Sequence, residues 1–380
     1  MNIHFISAVK KIINPVIRRL SFFFLLVFFF VASCPSVGDL QACTICVPYP
    51  ERTLADRLLE YGEIIFATEV KNTPYLFSAV ETIRGTGVGN PVKVFCDSST
   101  RRKLKFIADS AVVLARKSIE EEWQVVTFAN QTYQSFIRDL VRNSSSWNDG
   151  PGNQGRIRFF TRLLTSDHPH IQEQAYLEVG RAPYDMIKTL ATDIPREQIY
   201  EFLGNFRFIE WHSLYILFLG QSRHPDDRAY IRKHVESAAR LGMTTNLSAW
   251  LTAFIEAYPE TGVAEVETWY FINSGRSEDE LKQVMTSMSV LGSLPPIADL
   301  PLFLFRDKIV NSYETLLKNY PEMAGRVAKD LAMWQVNAHV DRLSEIKKEN
   351  TLVEPSDVYL LDYYLSMAPS YQGMAYDRLK

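Results

Sequence analysis

A repeated helical pattern runs from Arg156 to Gly220 and organises the rest of the chain. Its first part reads RIRFFTRLLTSDHPHIQEQAYLEVGRAPYDMIKTL (residues 156–190), and its second part reads REQIYEFLGNFRFIEWHSLYILFLG (residues 196–220). In each part a long apolar helix follows a shorter amphipathic one, and the two long helices end alike, at Gly180 and Gly220. A unit that recurs after about 40 residues is typical of solenoids built from stacked helix pairs. The sequence therefore predicts a helical-repeat domain.

Apolar residues at helical spacing continue beyond Gly220, which predicts an all-α domain over residues 154–346. Residues 347–380 predict a C-terminal helix and tail. Further helices are predicted from Pro225, and over residues 245–258, 278–291, 302–320, 323–346 and 357–367. Over about residues 154–292 the paired helices resemble HEAT-type repeats. That resemblance implies stacked helix pairs whose common surface binds protein partners.

The N-terminus has the pattern of an export signal. Residues 1–19 contain Lys10, Lys11, Arg18 and Arg19, and the first acidic residue is Asp39. An apolar run from Leu20 to Val31 follows. A basic lead before such a run is typical of a secretory signal, and the run is short for a membrane span of about 20 residues. We expect residues 1–42 to be a signal peptide or an uncleaved signal anchor, and the rest to be exported to the periplasm or cell envelope.

Two cleavage sites are compatible with the sequence, and each would leave a different set of the four cysteines available for a disulfide. Val31-Ala-Ser-Cys34 resembles the bacterial lipobox, in which the cysteine is lipidated and becomes the first mature residue. Ala42 before Cys43 suits ordinary signal peptidase, or a poorer lipobox. Lipidation of Cys34 would leave an odd set of three cysteines. Lipidation of Cys43 would leave Cys46 and Cys96 as a natural disulfide pair, which export makes plausible.

Residues 43–130 predict a small β domain. Five β-rich segments are separated by clusters of Gly, Asn and Asp, and they cover residues 63–70, 76–83, 91–96, 110–115 and 123–128. Short strands at regular spacing indicate a small antiparallel barrel or sandwich. The glycine-rich stretch Gly85–Gly89 precedes a strand, not a helix, so we interpret it as a hairpin loop and not as a phosphate-binding loop.

The start of this domain carries a family resemblance. A cysteine pair near a mature N-terminus, then a proline, then Ala55-Asp56 and the strand over residues 63–70 resemble the opening of netrin-like, OB-type barrel domains. Those domains include the tissue inhibitors of metalloproteinases and bacterial exported proteins. The resemblance implies one alternative function, inhibition of a metalloprotease through Cys43. Cys43-Thr-Ile-Cys46 is also a C-x-x-C pair, which offers a second alternative, a thiol oxidoreductase.

Residues 131–153 predict a helix and a linker. Apolar residues have helical spacing up to Arg142, and the run from Asn143 to Gly155 is rich in Ser, Asn and Gly and has no periodicity. Such a composition indicates a domain boundary. The predicted fold class is therefore multidomain α+β, with a small OB/netrin-like antiparallel barrel followed by a HEAT-like all-α domain.

Signatures of common enzymes are missing from the sequence. It has no Gly-x-Ser-x-Gly, His-Glu-x-x-His, Walker or calcium-loop motif. His168 and His170 lie two residues apart and do not share a helical face, so we predict no metal site with Glu173. Asp226 and Asp227 are adjacent, and we interpret them as acidic residues that suit a helix start, because neighbouring side chains on a helix point apart.

Composition and motifs together predict a binding protein. The formal charge of -3 and the pI near 6.2 do not indicate a nucleic-acid partner. We expect an exported envelope protein that acts as a non-catalytic protein-binding or scaffold module. No cofactor, catalytic residue or metal ligand is predicted. The expected partners are proteins on the helical-repeat surface, and the membrane through the signal anchor or a lipid.

Overall fold

A computed structural model describes residues 45–46, 52–147, 153–191, 194–295 and 305–371. Residues 41–380 belong to one compact unit. The segments predicted as a signal and as lipidation sites, including Cys34 and Cys43, lie outside the described residues. The described chain combines one antiparallel sheet with many helices, so the predicted α+β class is confirmed at that level.

The five predicted strands are all present. They are β1 (Glu63–Glu69), β2 (Leu76–Arg84), β3 (Val92–Lys93), β4 (Ala111–Arg116) and β5 (Gln124–Ala129). Every neighbouring pair is antiparallel, and the strand order is β3-β2-β1-β4-β5. The two central strands could be found because they are continuous runs of β-branched and other apolar residues, and these runs are buried on both faces of the sheet.

The sheet is curled but open. A closed barrel, as the sequence analysis predicted, would require β3 to pair with β5, and in the described part of the chain these two strands are both edges. β3 is short because Pro91 lacks a backbone donor and because Asp97 caps a helix soon afterwards. The backbone amide of Val94 donates to the Tyr75 carbonyl at 2.9 Å, and the ladder ends there.

Three helices accompany the strands: α1 (Leu54–Leu59), α2 (Ser98–Phe106) and α3 (Gln131–Ser144). The sequence analysis predicted α3, as the helix before the linker, but assigned nothing to α2. Ile64 and Phe66 of β1 face the large core that the sheet shares with the helices. Ile65 and Ala67 face a smaller core on the other side of the sheet.

Thirteen more helices follow in the described chain, and α4 to α9 contain the stretch that opened the sequence analysis. They are α4 (Gln154–Thr161), α5 (Pro169–Gly180), α6 (Tyr184–Leu190), α7 (Arg196–Gly204), α8 (His212–Gly220), α9 (Pro225–Leu241), α10 (Leu247–Ala257), α11 (Gly262–Val266), α12 (Glu278–Gly292), α13 (Arg306–Asn319), α14 (Ala324–Trp334), α15 (Val340–Glu349) and α16 (Pro355–Met367). The predicted helix ends at Gly180 and Gly220 are confirmed.

Two predicted helices are each divided. The segment predicted as one helix up to Gly220 begins with a 3-10 turn over Phe206–Trp211, and only then becomes α8. The segment predicted over 323–346 contains α14 and α15, which are separated where Gln335 and His339 adopt positive φ angles of 55° and 56°. A left-handed residue cannot continue a right-handed helix, so the helix must end there.

Helix α8 is the centre of the helical part. All residues from Ser213 to Gly220 are buried, as expected for a helix that is apolar on every side. It packs against α7 and α10, and α10 in turn packs against α9 and α12. A Cβ atom at Gly220 would lie 2.8 Å from both the Cα and the Cβ of Ala253 in α10. The absence of a side chain at Gly220 therefore lets two buried helices approach closely.

We predict that Gly220→Ala destabilises the protein by about 1–3 kcal/mol, because the added methyl group must displace the α10 backbone. The free energy of unfolding in urea measures the effect. The matched control is Gly204→Ala at the end of α7, where an added Cβ meets nothing within 4 Å. That control should change stability by less than about 1 kcal/mol, in the stabilising direction. Equal effects at both glycines would contradict the close approach.

Candidate functional site

The open side of the sheet forms a cleft of about 930 Å³. One wall is the segment from Lys93 to Asp97, which leads from β3 to α2. The opposite wall is β5 with Glu122 and Trp123 before it. Residues 52–54 and Arg57 of the α1 region, Tyr133 of α3, and the start of α5 close the remaining side. The cleft, as we use the term below, is this space between the two edge strands.

Its lining is apolar at the bottom and charged at the rim. Val94, Val126 and Tyr133 are buried, whereas Lys103 and Glu173 are exposed. The Lys103 Nζ lies 5.5 Å from the centre of the Phe128 ring, a cation–π distance. A site with apolar contacts below and charges of both signs above suits a flexible amphipathic chain better than one compact ion.

The backbone of β5 is the distinctive element of the cleft. β5 pairs with β4 along one edge, and no described strand lies along its other edge. The register shifts between Val113 and Leu114, so Val126 bulges from the ladder, and the Arg57 Nη2 donates to the Val126 carbonyl at 3.2 Å. An edge strand presents backbone donors and acceptors that another strand can use. The bulge and the Arg57 contact modify this edge without covering it.

One wall of the cleft is fixed by a buried ion cluster of Asp56, Arg156, Glu178 and Arg181. The Arg156 Nη2 is 2.7 Å from the Asp56 Oδ1 and 2.8 Å from the Glu178 Oε1. The Arg181 Nη2 is 2.9 Å from the Asp56 Oδ1 and 3.0 Å from the Glu178 Oε1. The cluster joins α1, which precedes the sheet, to α4 and α5. Packing therefore crosses the boundary predicted near residues 143–155, although the division into domains itself stays a prediction.

Neighbouring hydrogen bonds connect this cluster to the cleft. The Thr53 hydroxyl donates to Glu178, and the Leu54 amide donates to the Gln174 Oε1 at 2.9 Å. Thr53 also caps α1 in a reciprocal capping box with Asp56. Since Thr53, Leu54 and Gln174 all line the cleft, the ion cluster holds the first turn of α1 in position beside β5.

The charge state of Asp56 follows from competing effects. Burial alone would raise its pKa, but hydrogen bonds from Arg181 and Arg156 outweigh burial and hold the pKa well below its usual range. A carboxyl group whose pKa is lower in the folded than in the unfolded state stabilises the fold above the unfolded pKa, near 4. That contribution is lost as the pH falls below this value towards the folded pKa.

The predicted cysteine sites are only partly within the described chain. Cys46 is 5% exposed in the large core, and its carbonyl accepts a hydrogen bond from the Tyr176 hydroxyl at 2.8 Å. Cys96 lies in the smaller core, where burial raises the pKa of its thiol to about 11. The structure does not join Cys46 to Cys96, and that pairing stays a prediction. Both thiols are buried, whereas a reactive thiolate needs solvent access.

The histidines near α5 are held by aromatic and amide contacts. The His168 ring stacks on Tyr133 with centroids 5.3 Å apart, and its Nε2 lies 3.2 Å from the Asn130 Nδ2. His170 and Glu173 are exposed, with 3.5 Å between Nδ1 and Oε2. Searched over the described residues, the structure contains no group of three or more His, Cys, Asp or Glu arranged to hold a metal ion.

The adjacent acids of α9 have separate roles. Asp226 is exposed at the first turn, whereas Asp227 is fully buried. Asp227 accepts hydrogen bonds from the Arg196 Nη2 and the Tyr200 hydroxyl, both at 2.6 Å. The interpretation that both acids serve the helix start is therefore incomplete, because Asp227 also joins α9 to α7.

The ion cluster and the cleft were not found from the sequence. One signal was available: Glu178 interrupts the apolar face of α5, Arg181 follows the last residue of that helix, and a buried charge needs a partner. The partner itself could not be identified from the sequence, because Asp56 is 100 residues from Arg156 and 125 from Arg181.

Within the ranges that the structure describes, no helix is long and apolar enough to cross a membrane.

Arg156→Met should destabilise the protein by about 3–5 kcal/mol, because it leaves Glu178 buried with one partner fewer. Both side chains are 1% exposed, so water cannot replace the missing guanidinium. The control is Arg142→Met, which removes an exposed pair with Asp139 and should cost less than about 1 kcal/mol. Urea unfolding at neutral pH measures both, and a similar small loss for the two variants would show that the cluster is not a structural anchor.

Comparison of the chain with protein-family models, with curated proteins and with solved structures found no match. The resemblances to netrin-like barrels and HEAT-type repeats therefore stay predictions. What the chain does has to be inferred from the chemistry of its own cleft, strand edges and surfaces.

Proposed function

We propose that the chain is an exported, non-catalytic protein-binding module that receives an extended segment of a partner protein in the cleft. One observation carries this proposal: β5 has an edge along which no described strand lies, and this edge borders a preformed cleft of about 930 Å³. In strand addition, backbone hydrogen bonds supply affinity, and pockets for alternate side chains supply specificity. Here the edge of β5 supplies the backbone hydrogen-bonding groups, and the cleft beside it supplies space for the side chains.

The two walls define how the segment would lie. Its backbone would run along β5, and every second side chain would point down toward Val94 and Val126. The remaining side chains would face the charged rim, to which Lys103 and Glu173 contribute charges of opposite sign. A cleft of this size accommodates a short peptide, not a whole domain, so the contact belongs to the weak and transient class.

The strand order supports a finer proposal about the fold. A closed five-stranded barrel would arise from the order β3-β2-β1-β4-β5 if β3 met β5. We propose that the sheet is an opened OB-type barrel, which a partner strand completes at the seam. The HEAT-like arrangement over residues 154–346 is proposed on the same terms, with the close packing of α7, α8, α9 and α10 as its support.

The test begins with peptides selected from a displayed random library against the full chain. We expect binders with dissociation constants on the order of 10 µM, because a short strand loses much of its contact energy to ordering. N-methylation of one peptide bond removes one backbone donor and keeps the side chain. A scan of a selected peptide should therefore weaken binding at every second position, and amide exchange of β5 should slow in the complex.

Variants of the chain locate the site. Gln124→Trp places a bulky side chain at the rim of the cleft, and it should weaken peptide binding at least tenfold. Gln198→Trp on α7 introduces the same side chain away from the cleft and should leave binding unchanged. Binding that survives Gln124→Trp and every N-methyl substitution, with exchange protection only in the helices, would move the binding surface away from β5.

Export is tested by the intact mass of the protein from its native host. We expect a mature chain that begins at Cys34 or Cys43, with an acyl modification if the membrane anchor is a lipid. Alkylation of the denatured protein, with and without a reductant, then counts the paired cysteines. A soluble chain that begins at Cys43 with a free amine would favour a direct protease-inhibition assay. A chain that retains Met1 in the cytosolic fraction would end the export proposal.

A further inference from the structure

Helix α2 lies on the surface more completely than the other helices of eight or more residues that the structure describes. None of its nine residues is buried, and Leu104 is the one apolar side chain that turns partly toward the smaller core. The sequence of α2 is Ser-Ser-Thr-Arg-Arg-Lys-Leu-Lys-Phe. A helix with so little packing is not explained by core formation alone.

The charge around α2 is opposite to that of the whole chain. The formal charge of the protein is -3. Residues 91–107 nevertheless contain five Lys or Arg residues and one carboxylate, Asp97. Asp97 is occupied as the N-cap, where it accepts from the amides of Ser99 and Thr100 at 2.9 Å. Glu69 neutralises Arg101, with 2.6 Å between Oε1 and Nε, so a net positive surface remains around Arg102, Lys103 and Lys105.

Exposed aromatic rings stand among these cations. Phe95 is 79% exposed and Phe106 is 76% exposed. Phe95 stacks on Tyr75 with centroids 5.9 Å apart, and the Arg101 guanidinium lies 4.6 Å from the Tyr75 ring. Single exposed apolar residues are normal on a protein surface, but large rings within a cationic patch are typical of helices that lie in a membrane interface.

We propose that this basic face, defined by Lys93, Phe95, Arg101, Arg102, Lys105 and Phe106, docks on a membrane surface that contains anionic phospholipid. The cations attract the lipid phosphates, and the two phenylalanine rings enter the interfacial region between headgroups. This contact is made by the folded chain and is distinct from the predicted N-terminal anchor.

The position of the face in the chain favours lipid over other anionic partners. Twenty residues separate Val31, the end of the apolar run, from Arg52. Fully extended, they reach about 70 Å, so a retained anchor would keep the sheet near the bilayer. Nucleic-acid binding calls for a generally basic domain, and the chain as a whole is acidic.

The experiment follows amide hydrogen exchange of the full chain reconstituted with vesicles. One vesicle preparation is pure phosphatidylcholine, and the other contains phosphatidylglycerol as about a third of the lipid. We expect exchange in residues 98–107 to slow at least tenfold on the anionic vesicles alone, and the slowing to vanish in high salt because the attraction is screened. Equal exchange on the two vesicle types would overturn the proposal.

Two variants and a matched control separate the contributions. Arg102→Glu combined with Lys105→Glu should abolish the slowing, since each cation near a lipid surface contributes about a fivefold effect on binding. Phe106→Ser should reduce the slowing while all charges remain. The control combines Lys318→Glu with Lys329→Glu, which makes the same change in net charge at two exposed lysines in the helical part. It should behave as the unchanged protein.

Two further outcomes identify a wrong partner or a wrong site. If a soluble polyanion, such as a single-stranded oligonucleotide or heparin, slows α2 exchange while anionic vesicles do not, the partner is not a membrane. If anionic vesicles slow the amide exchange of α2 as much in the Arg102→Glu, Lys105→Glu variant as in the control variant, the basic face is not the contact. Peptide binding at β5 should be unchanged in these variants, because Arg102, Lys105 and Phe106 do not line the cleft. The two proposals can therefore fail independently.

Discussion

Asp56 meets Arg156 and Arg181 in a site from which water is largely excluded, and Glu178 completes the set. Removing four charges from water costs free energy, and only close contacts and hydrogen bonds within the cluster offset that cost, so a buried ion cluster is by itself weak evidence of added stability. Its geometry is directional, however, whereas apolar packing tolerates small displacements. The cluster therefore fixes the position of α1 relative to α5. Because residues of both helices line the cleft, the cluster also fixes that wall of the cleft.

Around this joint the apolar core is continuous. Phe66 of the sheet, Phe136 of α3 and Phe160 of α4 belong to one buried cluster that extends into the helical part as far as α16. The sheet is thus covered by helices on one face, while its other face has only the small core near α2. Asymmetric coverage leaves two kinds of surface on the same side of the molecule: an open backbone edge at β5 and a lightly packed, charged helix.

The sequence predicts local structure here better than it predicts arrangement. All five strands and the helix ends at Gly180 and Gly220 could be found, because the spacing of apolar residues and the positions of Gly and Pro are local signals. The open seam between β3 and β5 could not, since strand pairing depends on residues far apart in the chain. Helix α2 was missed because its nine residues bury no apolar face and so lack helical periodicity.

The candidate site was harder to predict than the fold, for the same reason. Its lining comes from β3, β5 and helices α1, α2, α3 and α5, which no motif connects in sequence. Of the chemistry-bearing residues that the sequence did single out, Cys96, His170 and Glu173 line the cleft, whereas Cys46 and His168 are packed against other side chains and are not part of its lining. The helix break at Gln335 shows a further limit, because a glutamine in a left-handed conformation carries no compositional signal.

The separation of Asp56 from its partners has a consequence for the order of folding. The chain leaves a ribosome or a translocation channel with its N-terminus first. Asp56 of α1 therefore emerges 100 residues before Arg156 and 125 residues before Arg181. Until then α1 and the sheet edge next to it have no counterpart, and contacts of such long sequence separation form slowly. All five β strands have therefore left the ribosome before either arginine is available, so the joint between α1 and α5 is made after the sheet residues and before most of the helical core.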